Sequence, residues 1–145
     1  MYSKKLLKFI LIIFAIYFSG ICLYGLIFNF PAEETLFIEK RITAEIFSVF
    51  SLVTVIFSGI YSYFLVRAGD NIIKLIFGIF CAAINSIFYF FNNIIIHSFK
   101  YVIEPDFIQE NAISLFAFLI LSFLCFGICW YVDFIRLKLK IKLKK

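Results

Sequence analysis

The sequence predicts an all-α membrane protein, a four-transmembrane-helix bundle that runs up-down-up-down with both termini on the cytoplasmic side (N-in/C-in). Its composition, four long apolar segments and an uneven distribution of basic residues support this prediction. Of the 145 residues, 64% are hydrophobic and 16% are charged. An average soluble domain is about half apolar and a quarter charged. Lipid is therefore needed to cover the excess apolar surface.

Four segments are long and apolar enough to cross a bilayer, which takes about 20 residues in a helix. They span about residues 6–28, 44–66, 72–96 and 113–134. Too few residues remain for a separate soluble domain. The whole chain is therefore predicted to be a single membrane domain, with a basic cytoplasmic tail at residues 135–145.

The first segment has an alternative interpretation as a secretory signal, because Lys4, Lys5 and Lys8 accompany its start. Its apolar run is longer than the roughly 7–15 residues of a signal peptide. No small-x-small cleavage site follows, and bulky Ile21 before Cys22 is unsuitable for a lipoprotein. We therefore expect an uncleaved first helix.

Basic residues in short connections predict the orientation, because Lys and Arg are retained on the cytoplasmic side. Four spans would bring the N-terminus, the second connection and the C-terminus to one side. Eleven of the 14 basic residues fall there, and only Lys40, Arg41 and Lys100 fall opposite. The net charge of +5 is thus mainly a topology signal, and no nucleic-acid partner is expected.

The connections carry turn and helix-start signals. Residues 68–71 (Ala-Gly-Asp-Asn) are typical of a tight turn, which would make the second and third helices antiparallel neighbours. Pro31 and Pro105 are each followed by acidic residues, a pattern typical of a helix start. Each outer connection is therefore expected to carry a short helix that leads into the next span.

Small and polar side chains recur on one face of each predicted helix, at about 100° per residue. We call this set the polar seam. Its residues are Ala15, Ser19 and Cys22 with Gly25 at the edge, then Ala44, Ser48, Ser51, Thr54, Ser58 and Ser62, then Lys74, Gly78, Ala82, Asn85, Ser86, Tyr89 and Asn93, then Ser122, Cys125, Cys129 and Asp133.

Two interpretations of the seam are open. In lipid, small residues spaced four apart let helices approach closely, so the seam favours packing. The rival interpretation is a polar path for a solute, although no acidic residue stands at mid-membrane. Asn85 lies near mid-bilayer and is expected to bond to a serine of the second helix, because an unpaired amide there is costly. Asp133 is expected to pair with Arg136, and Lys74 to reach toward the headgroups.

The sequence offers no chemistry for catalysis or cofactor binding. All four cysteines fall within the spans, and His97 is the single histidine. One histidine cannot supply zinc or haem ligation alone, and phosphate loops and catalytic triads are missing. We therefore expect no metal, no cofactor and no catalytic residue.

The tail alternates leucine or isoleucine with basic residues, which is the period of a strand. Extended on the membrane surface, it would place its apolar residues in the interface. Its basic residues would contact anionic lipids of the cytoplasmic leaflet. These residues are Arg136, Lys138, Lys140, Lys142, Lys144 and Lys145.

In span count and topology, the chain resembles small bacterial four-span proteins such as the immunity proteins of pore-forming bacteriocins. The resemblance covers architecture and no residue motif. It adds an immunity-type role to the functions to be considered. Packing seams without catalytic groups, together with short outer connections, lead us to expect a non-enzymatic protein of the plasma membrane, in bacteria the inner membrane. We expect it to bind another membrane component, as an accessory or immunity-type protein or as a homo-oligomer. The alternatives are a subunit of an oligomeric small-solute channel or transporter, and a component of a membrane enzyme or lipid-linked glycan flippase.

Overall fold

The computed structural model describes residues 2–28, 36–98 and 105–145, and within these ranges it contains four helices. They are α1 (Tyr2–Phe28), α2 (Leu36–Val66), α3 (Asn71–Ser98) and α4 (Pro105–Leu143). Each is long and apolar enough to cross a membrane. The prediction of four membrane-spanning helices is confirmed, and each helix extends beyond the span predicted for it.

The turn between α2 and α3 is confirmed at the predicted residues. The amide of Gly69 donates to the carbonyl of Val66 at 2.9 Å, and the carbonyl of Asp70 accepts from the amide of Lys74 at 2.9 Å. Tyr2 packs on this turn, since a Cβ added at Gly69 would lie 2.9 Å from the Tyr2 hydroxyl. The start of α1 therefore meets the connection between α2 and α3.

The helix-start signal at Pro105 is also confirmed, because α4 begins there with Asp106 in its first turn. The corresponding signal at Pro31 lies outside the described residues. Instead of a separate short helix, the 105–112 segment continues directly into the span. Proline fits the first helical position because its missing amide hydrogen has no partner there anyway.

The expectation of an extended tail is wrong, because α4 continues as a helix to Leu143. At about 1.5 Å per residue, its 39 residues extend roughly 58 Å, whereas the hydrocarbon core of a bilayer is about 30 Å thick. Leucine and lysine are good helix formers, and an existing helix extends at low cost. Lys140 and Lys142 lie in the last turn of α4, where their positive charges interact favourably with the negative end of the helix dipole.

Helices α2 and α3 form the centre of the bundle. They pack against each other, and each also packs against both α1 and α4. Within the described residues, α1 and α4 do not pack together. The interior is rich in aromatic rings, including Phe9, Tyr63, Phe77 and Phe126. This arrangement leaves α1 and α4 each with a broad face turned outward.

The stripe predicted for α1 does not face the bundle interior, so the expectation of an inward polar face is wrong for this helix. Ala15, Ser19 and Cys22 are exposed, and the buried residues of α1 include Phe9, Ile13 and Tyr17, each at most 2% exposed. Ring packing explains the rotation of α1, since Phe9 stacks on Tyr61 at 6.3 Å and Tyr17 stacks on Phe88 at 6.4 Å between centroids. The exposed Ser19 hydroxyl is satisfied within its own helix, because it donates to the Ala15 carbonyl at 2.7 Å.

Candidate functional site

The seam residues of α2 and α3 lie in the bundle interior. Buried members are Ser51, Thr54, Ser58, Ser62, Gly78, Ala82, Asn85, Ser86 and Tyr89. Ser58, Asn85 and Ser86 are fully enclosed, at 0% exposure. Asn93 is partly buried, and the side chains of Ala44 and Ser48 lie outside the described part of the chain.

Helix α2 approaches α4 closely at Gly59, a residue that the sequence pattern did not single out. A Cβ added there would lie 2.5 Å from the carbonyl oxygen of Ser122 and 2.7 Å from the Cβ of Cys125. Backbone therefore meets backbone, and only glycine fits. Its position beside Ser58, in a helix with small residues about every turn, was the available sequence signal.

Most interior hydroxyls are satisfied within their own helix. Ser62 donates to the Gly59 carbonyl at 2.9 Å, and Ser86 donates to the Ala82 carbonyl at 2.9 Å. Ser58 donates to the Val55 carbonyl at 2.8 Å and lies 3.0 Å from the Ser122 hydroxyl. Because a serine has one hydroxyl proton, Ser122 must donate to Ser58. This bond joins α2 to α4.

Asn85 has a different partner from the one expected. The Tyr17 hydroxyl of α1 donates to its side-chain oxygen at 3.2 Å, so the bond does not go to a serine of α2. In the part of the chain that the structure describes, the buried amide nitrogen of Asn85 and the side-chain oxygen of Asn92 have no hydrogen-bond partner. A buried unsatisfied group of this kind costs about 1–3 kcal/mol.

Asn93 ties α3 to α4 near the other end of the bundle. Its side-chain nitrogen donates to the side-chain oxygen of Asn111 at 3.1 Å. Nearby, the rings of Tyr89 and Phe118 meet edge to face, with centroids 4.3 Å apart. Asn93 therefore belongs to a contact between α3 and α4, separate from the serine-rich face of α2.

A charged cluster joins α2 to α4 at the end that holds the α2–α3 turn. Arg67 donates from Nε to Oδ2 of Asp133 at 2.6 Å and from Nη2 to Oδ1 at 2.9 Å, and the Tyr63 hydroxyl also donates to Oδ2 at 2.6 Å. The sequence-predicted pairing of Asp133 with Arg136 is wrong. The end of α2 brings the planar guanidinium of Arg67 across from Asp133 in the two-bond geometry that favours arginine.

A cleft of about 810 Å³ opens beside this cluster, and we call it the basic cleft. Five of its lining residues are basic, and Asp133 is the single carboxylate among them. Its lining residues are Lys5, Tyr63, Phe64, Leu65, Arg67, Ala68, Asn71, Lys74, Trp130, Asp133, Phe134, Arg136, Leu137, Leu139 and Lys140. The ammonium of Lys74 lies 5.8 Å from the centre of the Trp130 ring, which keeps this lysine at the cleft.

The basic residues of the helical tail lie on different faces of α4, and only some of them face the basic cleft. Arg136 and Lys140, one turn apart, line the basic cleft, whereas Lys138 and Lys142 do not. Lys138 instead lies over the ring of Phe134, with its ammonium 4.5 Å from the ring centre. The tail residues predicted to contact anionic lipid are all exposed, and they no longer form one surface.

The described polar groups are not arranged as metal ligands. Among these residues, no group of three or more His, Cys, Asp or Glu side chains is placed to hold a metal ion. Cys22, Cys81, Cys125 and Cys129 are free thiols. The polar groups form two main assemblies, the buried seam and the basic cleft.

No protein-family model, curated protein or solved structure matches this chain.

Proposed function

We propose that the chain is a small multi-pass protein of the plasma membrane, in bacteria the inner membrane, that acts without catalysis by binding another membrane component. The outward face of α1 carries this proposal. Ala15, Ser19 and Cys22 are exposed there at successive turns. Small side chains at this spacing allow a second helix to approach closely, and α1 packs against only α2 and α3 within the described residues.

The bundle interior supports the same role. Its serines donate mainly to carbonyls of their own helices, and Gly59 brings α2 against the α4 backbone. These features specify how the helices pack, so a partner would meet the bundle from outside. An accessory or immunity-type protein works in this way, as does a homo-oligomer.

Photocrosslinking in native membranes tests the proposal. A photoreactive residue in place of Cys22 is expected to give a discrete protein adduct, and its mass distinguishes a second copy from another protein. Ser19→Phe, which fills the small-residue face, should remove the adduct. The same probe at Ile120, which is 58% exposed on α4, provides the control and should capture lipid. Lipid adducts alone at Cys22, or an adduct insensitive to Ser19→Phe, would contradict the proposal.

The proposed topology is up-down-up-down with both termini in the cytoplasm. Contacts of Tyr2 with Gly69 and of Arg67 with Asp133 support one shared end for these segments, and that end is rich in basic residues. Single cysteines at Lys142 and Asp106, in a background without native cysteines, test the orientation. An impermeant thiol reagent should label position 106 in intact cells and position 142 only after permeabilisation. The reverse pattern would contradict N-in/C-in.

A channel or transporter subunit is the second candidate, favoured by the unpartnered amide nitrogen of Asn85 and side-chain oxygen of Asn92. Water or a solute would satisfy such groups. Asn85→Cys in the cysteine-free background tests this alternative, with lipid-facing Ile87→Cys as the control. Reaction of position 85 with a water-soluble thiol reagent would favour a path, and protection of both positions would favour packing.

A further inference from the structure

The basic cleft combines positive charge with an apolar wall. Lys5, Lys74, Arg136 and Lys140 bring charge from α1, α3 and α4 to one cavity. Phe64, Leu65, Trp130, Phe134, Leu137 and Leu139 line the same cavity. A ligand that fits both sets of side chains carries a negative group joined to an apolar body.

The positive charge of the cleft is largely unneutralised. Its one lining carboxylate, Asp133, is engaged by both Arg67 and Tyr63. In the part of the chain that the structure describes, Lys74, Arg136 and Lys140 form no ion pair. The N-terminus of α3 adds to the field, because it begins at Asn71, which lines the cleft, and the positive end of a helix dipole attracts anions.

We propose that the basic cleft binds the phosphate headgroup of one anionic phospholipid. Lys74, Arg136 and Lys140 would contact the phosphate, and the acyl chains would run along the apolar wall that Phe134 and Leu137 begin. Basic pockets between membrane helices recognise anionic headgroups in this way. The apolar wall favours a lipid over free phosphate, which would leave that wall in contact with water.

The lipid site deepens the contact between the tail and anionic lipid that the sequence predicts. The tail sequence predicts one surface of six basic residues, whereas the cleft selects Arg136 and Lys140 and adds Lys74 from α3. Binding of a membrane partner by α1 is independent of it. A lipid experiment at the cleft can therefore fail while that role stands.

Trp130 offers a local readout, because it is the only tryptophan of the chain and lines the cleft. The full-length protein is reconstituted in phosphatidylcholine vesicles that contain rising fractions of phosphatidylglycerol brominated near the glycerol backbone. Bromine quenches tryptophan fluorescence at short range. Brominated phosphatidylglycerol is expected to occupy the site about tenfold more readily than brominated phosphatidylcholine, since several basic residues contribute.

Two double variants with equal charge loss separate a site from a diffuse surface. Arg136→Gln with Lys140→Gln, on the cleft face, should reduce the preference for phosphatidylglycerol to about twofold or less. Lys138→Gln with Lys142→Gln, off the cleft, should retain most of it. Arg136→Lys with Lys140→Arg keeps both charges and should also retain it. Circular dichroism checks that each variant is folded.

Three results would overturn the proposal. Equal losses in the two glutamine variants would leave only a diffuse contact between tail and lipid. In the protein without substitutions, equal quenching by brominated phosphatidylglycerol and brominated phosphatidylcholine would exclude the diffuse contact between tail and lipid as well. Removal of the preference by inorganic phosphate, but not by chloride at equal ionic strength, would assign the cleft to a free phosphate ligand. If the preference for phosphatidylglycerol persists in phosphate buffer, the result supports a lipid as the ligand of the cleft.

Discussion

Ser62 lies in the last turns of α2 and Arg67 directly follows the end of that helix, but their hydrogen bonds go to different places. Ser62 donates to a carbonyl of its own helix, and Arg67 donates across the bundle to Asp133 on α4. The same contrast separates the buried serines of the polar seam, which mostly bond within their own helix, from the basic end, where the seam residue Asp133 pairs across helices. In the seam, stability should therefore depend on shape, and at the basic end it should depend on specific pairs.

Gly59→Ala should have the largest effect on the seam, because the new Cβ would stand 2.5 Å from a backbone oxygen. Overpacking of this kind typically costs about 1–3 kcal/mol, measured as the free energy of unfolding in detergent. Gly127→Ala is the matched control in α4, since an added Cβ there meets nothing within 4 Å. Equal destabilisation by the two substitutions would show that helix packing at Gly59 is not tight.

Asp133→Asn should be the next largest change, because it weakens the bonds from both Arg67 and Tyr63. A double-mutant cycle gives the sharper test. Arg67→Gln and Asp133→Asn should be strongly non-additive in the free energy of unfolding, whereas Arg136→Gln and Asp133→Asn should be nearly additive. High salt should weaken the coupling because the Arg67 side chain is 51% exposed. A larger coupling energy between Asp133 and Arg136 than between Asp133 and Arg67 would instead support the pairing predicted from the sequence.

Tyr17→Phe should lower the free energy of unfolding by about 0.6 kcal/mol, the typical value of a hydrogen bond between membrane helices. The double variant Tyr17→Phe with Asn85→Leu should recover this loss, because it removes the unpartnered amide nitrogen of Asn85 together with the side-chain oxygen that Tyr17→Phe leaves without a donor. Tyr131→Phe, at a residue 65% exposed on α4, is the control. A further loss in the double variant would mean that Asn85 has another stabilising partner.

Ser62→Ala should have the smallest effect, within about 0.5 kcal/mol, because the Ser62 hydroxyl bonds only to its own helix in the described part of the chain. Ser62→Leu at the same buried position should destabilise clearly through its added volume. Both free energies can be measured by the same unfolding titration. A large loss from the alanine variant would contradict the view that shape dominates the seam.

Local patterns were sufficient to predict the helices, the turn between α2 and α3, and the start of α4. Hydropathy identified four spans, residues 68–71 identified the turn, and Pro105 with Asp106 identified the start of α4. The inward positions of Ser58, Ser62, Asn85 and Ser86 also followed from the helical period. Each of these inferences depends on residues close together in the chain.

The sequence by itself determined four helices that are long and apolar enough to cross a membrane, because the length and hydropathy of each segment decide whether it can enter lipid. Only the tertiary structure decided how each helix is rotated and which residues meet across helices. It turned Ala15, Ser19 and Cys22 outward, paired Asp133 with Arg67, and brought Gly59 against α4. Lipid is as apolar as leucine, so hydrophobicity cannot orient a helix inside a membrane. Orientation depends instead on close packing and hydrogen bonds between residues far apart in the chain.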